Sequence, residues 1–341
     1  MIKRSLLTLL IGGLGGALAT QVALPLAWML GPLFLVLAAS LAGAKTGIDP
    51  RLHRGAIAML GLFIGNRIDL AELWHLLEWY PSVLAMLGYM GLMLLGGRWL
   101  FARSGMSRLS ALFCAFPGSM NGAVILADRL GADVRWIAIT HAMRLVMVVA
   151  SAALLASHLA GGVVLGEGNG LHWGDLYLLA LAPACAWLGR WLRLPIPEFL
   201  GPIAVGAAMA SFGHGIVLPD LLLILTFLVL GSSVGSRFSG TGWSRLLRVG
   251  RYGLAFGAYA VGMALVTAWG VASLTDLPFA AVLLALLPGG VGEMAVIAVA
   301  LEIDPVYVVS HHVLRLLLLI LLTPPLIAWA RRRRAAVERR R

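Results

Sequence analysis

Cysteine is nearly absent: 341 residues contain two, Cys114 and Cys185, each inside an apolar stretch. That excludes a disulfide framework and any Cys-based zinc spacing. Charge is also scarce, since only 12% of residues are Asp, Glu, Lys or Arg. No window outside the apolar stretches is long enough for a separate soluble domain, and no helix-turn-helix pattern is present, which argues against DNA binding. The sequence likewise has no P-loop, no nucleophile elbow and no helical zinc site. The histidines are too dispersed to supply the converging ligands of a copper or iron oxygenase.

Apolar residues make up 60% of the chain, and its mean hydropathy is +0.93. Stretches approaching the roughly 20 residues of a spanning helix recur almost without pause. The composition is that of an all-α polytopic membrane protein, with the lipid bilayer as its first partner. A net charge of +11 is concentrated most densely at Arg331 to Arg334 and Arg339 to Arg341, just past the last apolar segment. There it reads as a cytoplasmic flank that fixes topology. Lys3, Arg4 and the apolar run from Leu6 imitate a signal peptide. The repetition described next argues instead for an uncleaved first helix.

The chain states its pattern twice. Leu24-Pro25-Leu26 and Leu30-Gly31-Pro32-Leu33 return as Leu194-Pro195-Ile196 and Leu200-Gly201-Pro202-Ile203. Gly61, Gly65 and Arg67 return as Gly231, Gly235 and Arg237. Pro117-Gly118, Asp133, His141 and Arg144 return as Pro288-Gly289, Asp304, His312 and Arg315. A nearly constant offset through a whole chain marks an internal duplication. It divides the sequence into a first membrane repeat (1–160), a polar glycine-rich linker (161–174), a second membrane repeat (175–330) and a basic cytoplasmic tail (331–341).

Each repeat reads as six apolar segments, at about 5–22, 25–43, 55–66, 80–97, 109–127 and 136–158 in the first. In the second they lie at about 174–191, 195–212, 219–235, 250–270, 277–299 and 306–330. The fifth of each set is interrupted, at Pro117-Gly118-Ser119-Met120-Asn121-Gly122 and at Pro288-Gly289-Gly290-Val291-Gly292-Glu293. Proline removes a backbone donor and glycine frees φ, so two half-helices are expected at each place. They form a re-entrant hairpin or a broken spanning helix. If each interrupted segment returns to the side it came from, every basic cluster lies inside and the connections near Glu167, Asp220 and Asp276 lie outside. Both termini are then cytoplasmic, and the repeats are inverted, with about ten crossing helices plus two broken or re-entrant ones.

The interruptions carry the strongest local signal for function. Irregular backbone at membrane depth persists only where it is buried in protein or lines a wet cavity. The N–H groups that begin the following half-helix suit an anion. Pro117, Gly118 and Asn121, with Pro288, Gly289 and Glu293, are therefore candidate substrate-binding residues, Glu293 being the candidate coupling group. His141/Arg144 and His312/Arg315, spaced by three, share one face of the sixth segment of each repeat. Two readings stay open for them. The arginines face an anionic solute with the histidines available for protons, or they tie down carbonyls freed by the neighbouring break. Asp133 and Asp304 read as helix caps. Arg67 and Arg237 read as snorkelling side chains, and Glu198 as a secondary candidate. The stretch from Asp69 to Trp79 reads as an interfacial helix.

The Leu-x-Gly-Pro repeat, the Pro-Gly-x-Met-Asn-Gly stretch and the Asp…His…Arg tail resemble those of the AbrB-type membrane proteins. This is a duplicated bacterial family, distinct from the small sporulation regulator of the same name, and the resemblance covers nearly the whole chain. The family carries two labels, regulator of gene expression and ammonia monooxygenase, and its molecular activity is unsettled, so the resemblance brings motif positions but no catalytic residues. The two copies differ where Asn121-Gly122 faces Gly292-Glu293. The residues themselves favour a non-enzymatic, multi-pass inner-membrane transporter or permease for a small anionic solute, without cofactor, metal or nucleic acid. A homo-oligomer is compatible with the sequence. A membrane-bound sensor or regulator is the rival reading, and a membrane monooxygenase the disfavoured third.

Overall fold

A computed structural model describes residues 1–68, 78–117, 124, 127–128, 130–159, 176–214 and 219–338. Among these residues the secondary structure is helical throughout, with no strand. Six helices come from the first half: α1 (Ile2–Gln21), α2 (Ala27–Leu41), α3 (Pro50–Gly65), α4 (Tyr80–Ala102), α5 (Arg108–Ala115) and α6 (Val134–Leu159). Seven follow: α7 (Tyr177–Trp191), α8 (Pro197–Ser211), α9 (Asp220–Ser236), α10 (Trp243–Leu274), α11 (Phe279–Leu286), α12 (Val291–Ala300) and α13 (Pro305–Glu338). The linker from 161 to 174, most of the stretch from Asp69 to Trp79, and residues Gly118 and Asn121 lie outside the described residues.

Helix starts follow local chemistry. Asp49 caps α3 by accepting the Arg51 N–H at 2.8 Å, with Pro50 in the first helical position. Asp304 accepts the N–H groups of Val306 and Tyr307 at 2.8 and 3.2 Å, and Asp133 those of Arg135 and Trp136 at 3.0 and 3.3 Å. An acceptor at this position satisfies donors that a helix cannot pair internally. α2 and α8 instead follow a left-handed residue, Leu26 with φ 51° and Ile196 with φ 49°, which are 170 positions apart.

Among the described residues, four helices are long and apolar enough to cross a membrane: α1, α4, α6 and, over Leu246–Leu274, α10. α2, α9, α12 and the Pro305–Leu321 part of α13 are apolar but shorter. Outward faces carry large apolar side chains, such as Leu6, Leu10 and Leu14 on α1, Trp99 on α4 and Trp269 on α10. Such surfaces require lipid rather than water. The inward face of α1 is made of small residues, Gly12, Gly15, Gly16 and Ala19. Without a hydrophobic drive in lipid, helices gain by close approach of small residues.

The packing pairs residues of the two halves. On α3, Gly61 rests on Phe199 and Gly65 on Ile203; on α9, Gly231 rests on Met29 and Gly235 on Leu33. Each of these contacts is the other's counterpart 170 residues along. A Cβ at any of the four would collide with the partner backbone, so only glycine allows α3 to cross α8 and α9 to cross α2 at this distance.

Two bundles result, and neither is a sequence half. α1–α3 pack with α7–α9, while α4–α6 pack with α10–α13. The bundles meet chiefly through α6 and α12 against α2, α3 and α9. Both interrupted segments belong to the second bundle.

Candidate functional site

The second interruption is described in full. α11 ends at Leu286, and the chain passes through extended Leu287 (φ −54°, ψ 132°) to Pro288-Gly289-Gly290. Gly290, extended at φ −77° and ψ 151°, is the N-cap of α12. At the first interruption α5 ends at Ala115, and Phe116 adopts the same extended backbone (φ −62°, ψ 125°) before Pro117.

The helix after each break reaches back to hold it. From α6, His141 Nε2 donates to the Phe113 carbonyl at 2.9 Å, and Arg144 Nη1 donates to the Phe116 carbonyl at 2.9 Å. From α13, His312 Nε2 donates to the Leu284 carbonyl at 3.0 Å, and Arg315 Nη1 to the Leu287 carbonyl at 3.1 Å. All four bonds span 28 residues. Arg315 Nη2 also donates to the Gly289 carbonyl at 2.9 Å and to His312 Nδ1 at 2.8 Å. The carbonyls served are the last ones of α5 and α11, plus those of the extended residues beyond. These are the negative poles of two short helices, where a guanidinium is favoured.

Hydrogen-bond partners also set the tautomer. His312 accepts from a guanidinium at Nδ1, so its proton sits on Nε2 and the ring is neutral. Both nitrogens are engaged, and no lone pair of His312 is open to a further proton. His141 likewise has Nε2 against a carbonyl, whereas its buried Nδ1 has no hydrogen-bond partner. The geometry thus contains the carbonyl-tying role of both His/Arg pairs.

The four side chains are buried, with Arg144 5% and Arg315 6% exposed. Arg144 lies within electrostatic reach of Arg315. Tyr89, whose hydroxyl donates to the Ala260 carbonyl at 3.0 Å, lies near both. Among the described residues, the hydrogen bonds of Arg315 go to two backbone carbonyls and an imidazole, all neutral acceptors.

Glu293 has an ion-pair partner of its own. Sequence reasoning expects it close to Arg144 and Arg315; the structure pairs its Oε1 with Arg237 Nη2 at 3.6 Å. The physical reason is its place in the third position of α12: the side chain folds back over Gly290 toward the helix start, where the end of α9 abuts. Arg315 is already occupied by carbonyls. Sequence reasoning missed Arg237 as a partner, and it missed His53. This histidine lies in the first turn of α3 within electrostatic reach of both charges, and its buried Nδ1 has no hydrogen-bond partner. Arg237 was visible as the end of the repeated Gly61-Gly65-Arg67 pattern, though nothing in sequence pointed at Glu293. Its counterpart Arg67 sits over the Phe63 ring at 4.5 Å.

The other candidates have ordinary settings. Glu198 pairs with Arg190 at 3.5 Å on an exposed surface, a contact worth little. His311, which has no counterpart in the first repeat, joins its Nδ1 to the Tyr307 carbonyl and its Nε2 to Ser82 Oγ at 2.9 and 2.8 Å. Cys114 and Cys185 are buried free thiols. Among the described residues no cluster of His, Cys, Asp and Glu could hold a metal ion.

Comparison with known proteins agrees with the motif resemblance. Residues 6–331 match the family described as "Transition state regulatory protein AbrB". The chain is 29% identical over 306 residues to the "Putative regulator AbrB" of Escherichia coli K12, covering 86% of each chain. It is 23% identical over 338 residues to the "Uncharacterized protein YhjN" of Bacillus subtilis 168, covering 90% of this chain and 88% of the relative. The matched span takes in both interruptions and both His/Arg pairs, and the chain belongs to the AbrB family of membrane-type helical proteins.

Proposed function

We propose that this chain is a permease of the bacterial inner membrane for a small anionic solute, built from two repeats of inverted topology with both termini cytoplasmic. About ten helices cross, and the two broken elements, α11/α12 and its first-half counterpart, enclose the solute site. In this reading Arg144 and Arg315 supply the positive field, and Pro117, Gly118, Asn121, Pro288 and Gly289 supply the opened backbone. His141 and His312 fix the arginines, and Glu293 is the coupling carboxylate. One observation carries the proposal: two helix breaks in one bundle, each held by a His/Arg pair from the following helix, with the two guanidiniums within electrostatic reach of each other. Broken helices beside a substrate site are a recurrent device of secondary transporters.

The name of the Escherichia coli relative favours a second reading, a membrane-bound sensor that affects expression without transport. Transport of a metabolite that in turn alters expression would reconcile the two. A membrane monooxygenase stays the disfavoured third reading, because it would need several converging metal ligands.

The test is a thermal-unfolding screen of the purified protein against phosphate, sulfate, acetate, succinate and a quaternary ammonium control. A ligand at 100 times its Kd stabilises the native state by about 2.7 kcal/mol. Anions are expected to raise the melting temperature and the cation is not. An anion that stabilises should then enter proteoliposomes, and Arg144→Lys and Arg315→Lys should weaken its binding while preserving folded protein. Binding without flux selects the sensor. Stabilisation by none of the anions, or unchanged affinity in both variants, refutes the anion site.

A further inference from the structure

The two bundles touch along a seam whose two ends differ. At one end, Ile64 and Ile203 of the first bundle face Trp79, His311 and Leu314 of the second across an open groove of about 360 Å³. At the other end the seam is closed. There Gly292 of α12 lies against Ile57 of α3 and Leu230 of α9, and Glu293 reaches Arg237. Ile64 and His53 lie eleven residues apart on α3, roughly 16 Å along its axis. The groove and the ion pair therefore occupy opposite ends of one helix.

The ion pair is also, among the described residues, a charged link between the bundles at that end. Glu293 belongs to α12, which carries one of the two helix breaks, while Arg237 terminates α9 of the first bundle. Its carboxylate side chain is 6% exposed and its guanidinium 25%, so water screens the pair only weakly. His53 adds a buried, unpartnered polar nitrogen at the same place. A buried polar atom without a partner is uncommon and calls for an explanation. Among the described residues, this end of the seam combines a glycine contact, an ion pair and an imidazole nitrogen without a partner.

We infer that Glu293–Arg237 is a latch that keeps the two bundles closed at this end of the seam, and that its release lets the bundle carrying both helix breaks move against the other. The device concerns motion between bundles and stands whether the solute is carried or only sensed.

The reporter is Gly292→Cys in a chain whose own buried cysteines are replaced (Cys114→Ala, Cys185→Ala). A Cβ at Gly292 meets only ordinary contacts, 3.5 Å from Ile57 and 3.9 Å from Leu230, so the thiol is tolerated and covered in the latched state. The rate of its alkylation by a charged maleimide is measured on the full chain in detergent. Glu293→Gln and Arg237→Gln should each raise the rate at least tenfold, and the charge-exchanged pair Glu293→Lys with Arg237→Glu should return it toward the parent. Unchanged rates in folded single variants overturn the latch, as does acceleration that the exchanged pair fails to reverse. Loss of folded protein in both single variants, judged by size exclusion, assigns the pair to stability and overturns it as well.

Discussion

Replacing Arg315 with methionine keeps the length of the side chain and removes all its donors. Three hydrogen bonds disappear, to the carbonyls of Leu287 and Gly289 and to His312 Nδ1. Inside a bilayer such bonds average about 0.6 kcal/mol and reach about 1.7, and an acceptor left without a partner adds its own cost. The loss is therefore about 3 kcal/mol gross. Relief from burying a guanidinium offsets part of it, since an intramembrane charge is itself costly. About 2 kcal/mol remains, close to a thirtyfold shift in the folded-to-unfolded ratio. Arg315→Lys retains the charge at the end of α11 but not the two-pronged geometry, and should lose about half as much. The assay is reversible unfolding of the purified protein by SDS in mixed micelles, followed by the fluorescence of its 11 tryptophans. A double-mutant cycle with His312→Phe should show a coupling of about 1 kcal/mol, because the imidazole and guanidinium hold each other. Unfolding of Arg315→Met at the parent's SDS fraction would refute the claim that the arginine holds the break.

Two further outcomes follow from packing and charge. Gly231→Ala should destabilise the protein by about 2 kcal/mol in the same assay, because the new methyl collides with the Met29 backbone where α9 crosses α2. Gly88→Ala on α4, where a Cβ meets nothing, should be neutral or stabilise by up to about 1 kcal/mol; equal effects at the two sites would show that the crossing is not tight. For topology, a cysteine at Asn169 in a chain otherwise free of cysteine should react with an impermeant maleimide in intact spheroplasts. Reaction only after lysis would reverse the assignment.

Much of the site was legible because its chemistry is local and repeated. Pro288-Gly289 stops a helix wherever it falls, so the end of α11 at Leu286 and the new start at Val291 follow from residue types alone. The three-residue spacing of His312 and Arg315 puts both on one face of α13 regardless of context. Their targets were legible only as one of two readings, since solute and carbonyl are both acceptors for a guanidinium. Which acceptor is near depends on where α11 ends relative to α13. Glu293 shows the limit more sharply: its spacing within the chain is informative, but its partner Arg237 comes from the far end of another helix.

By itself, the sequence determined that this is a helical membrane protein of duplicated pattern. It also placed the two helix breaks, the caps at Asp133 and Asp304, and the paired His/Arg positions. Those properties depend on composition, on helical period and on residues within a few positions of one another. Tertiary structure alone decided that the two halves of the sequence do not each pack as a unit. Gly61 and Gly231 permit close crossings but do not name their partners. Crossing α3 on α8 and α9 on α2 joins three helices from each half into one bundle and leaves both breaks in the other. The choice of partner rests on contacts between backbones far apart in sequence, which no local pattern encodes. That choice is what brings Arg144 near Arg315 and sets Glu293 against Arg237 across the seam.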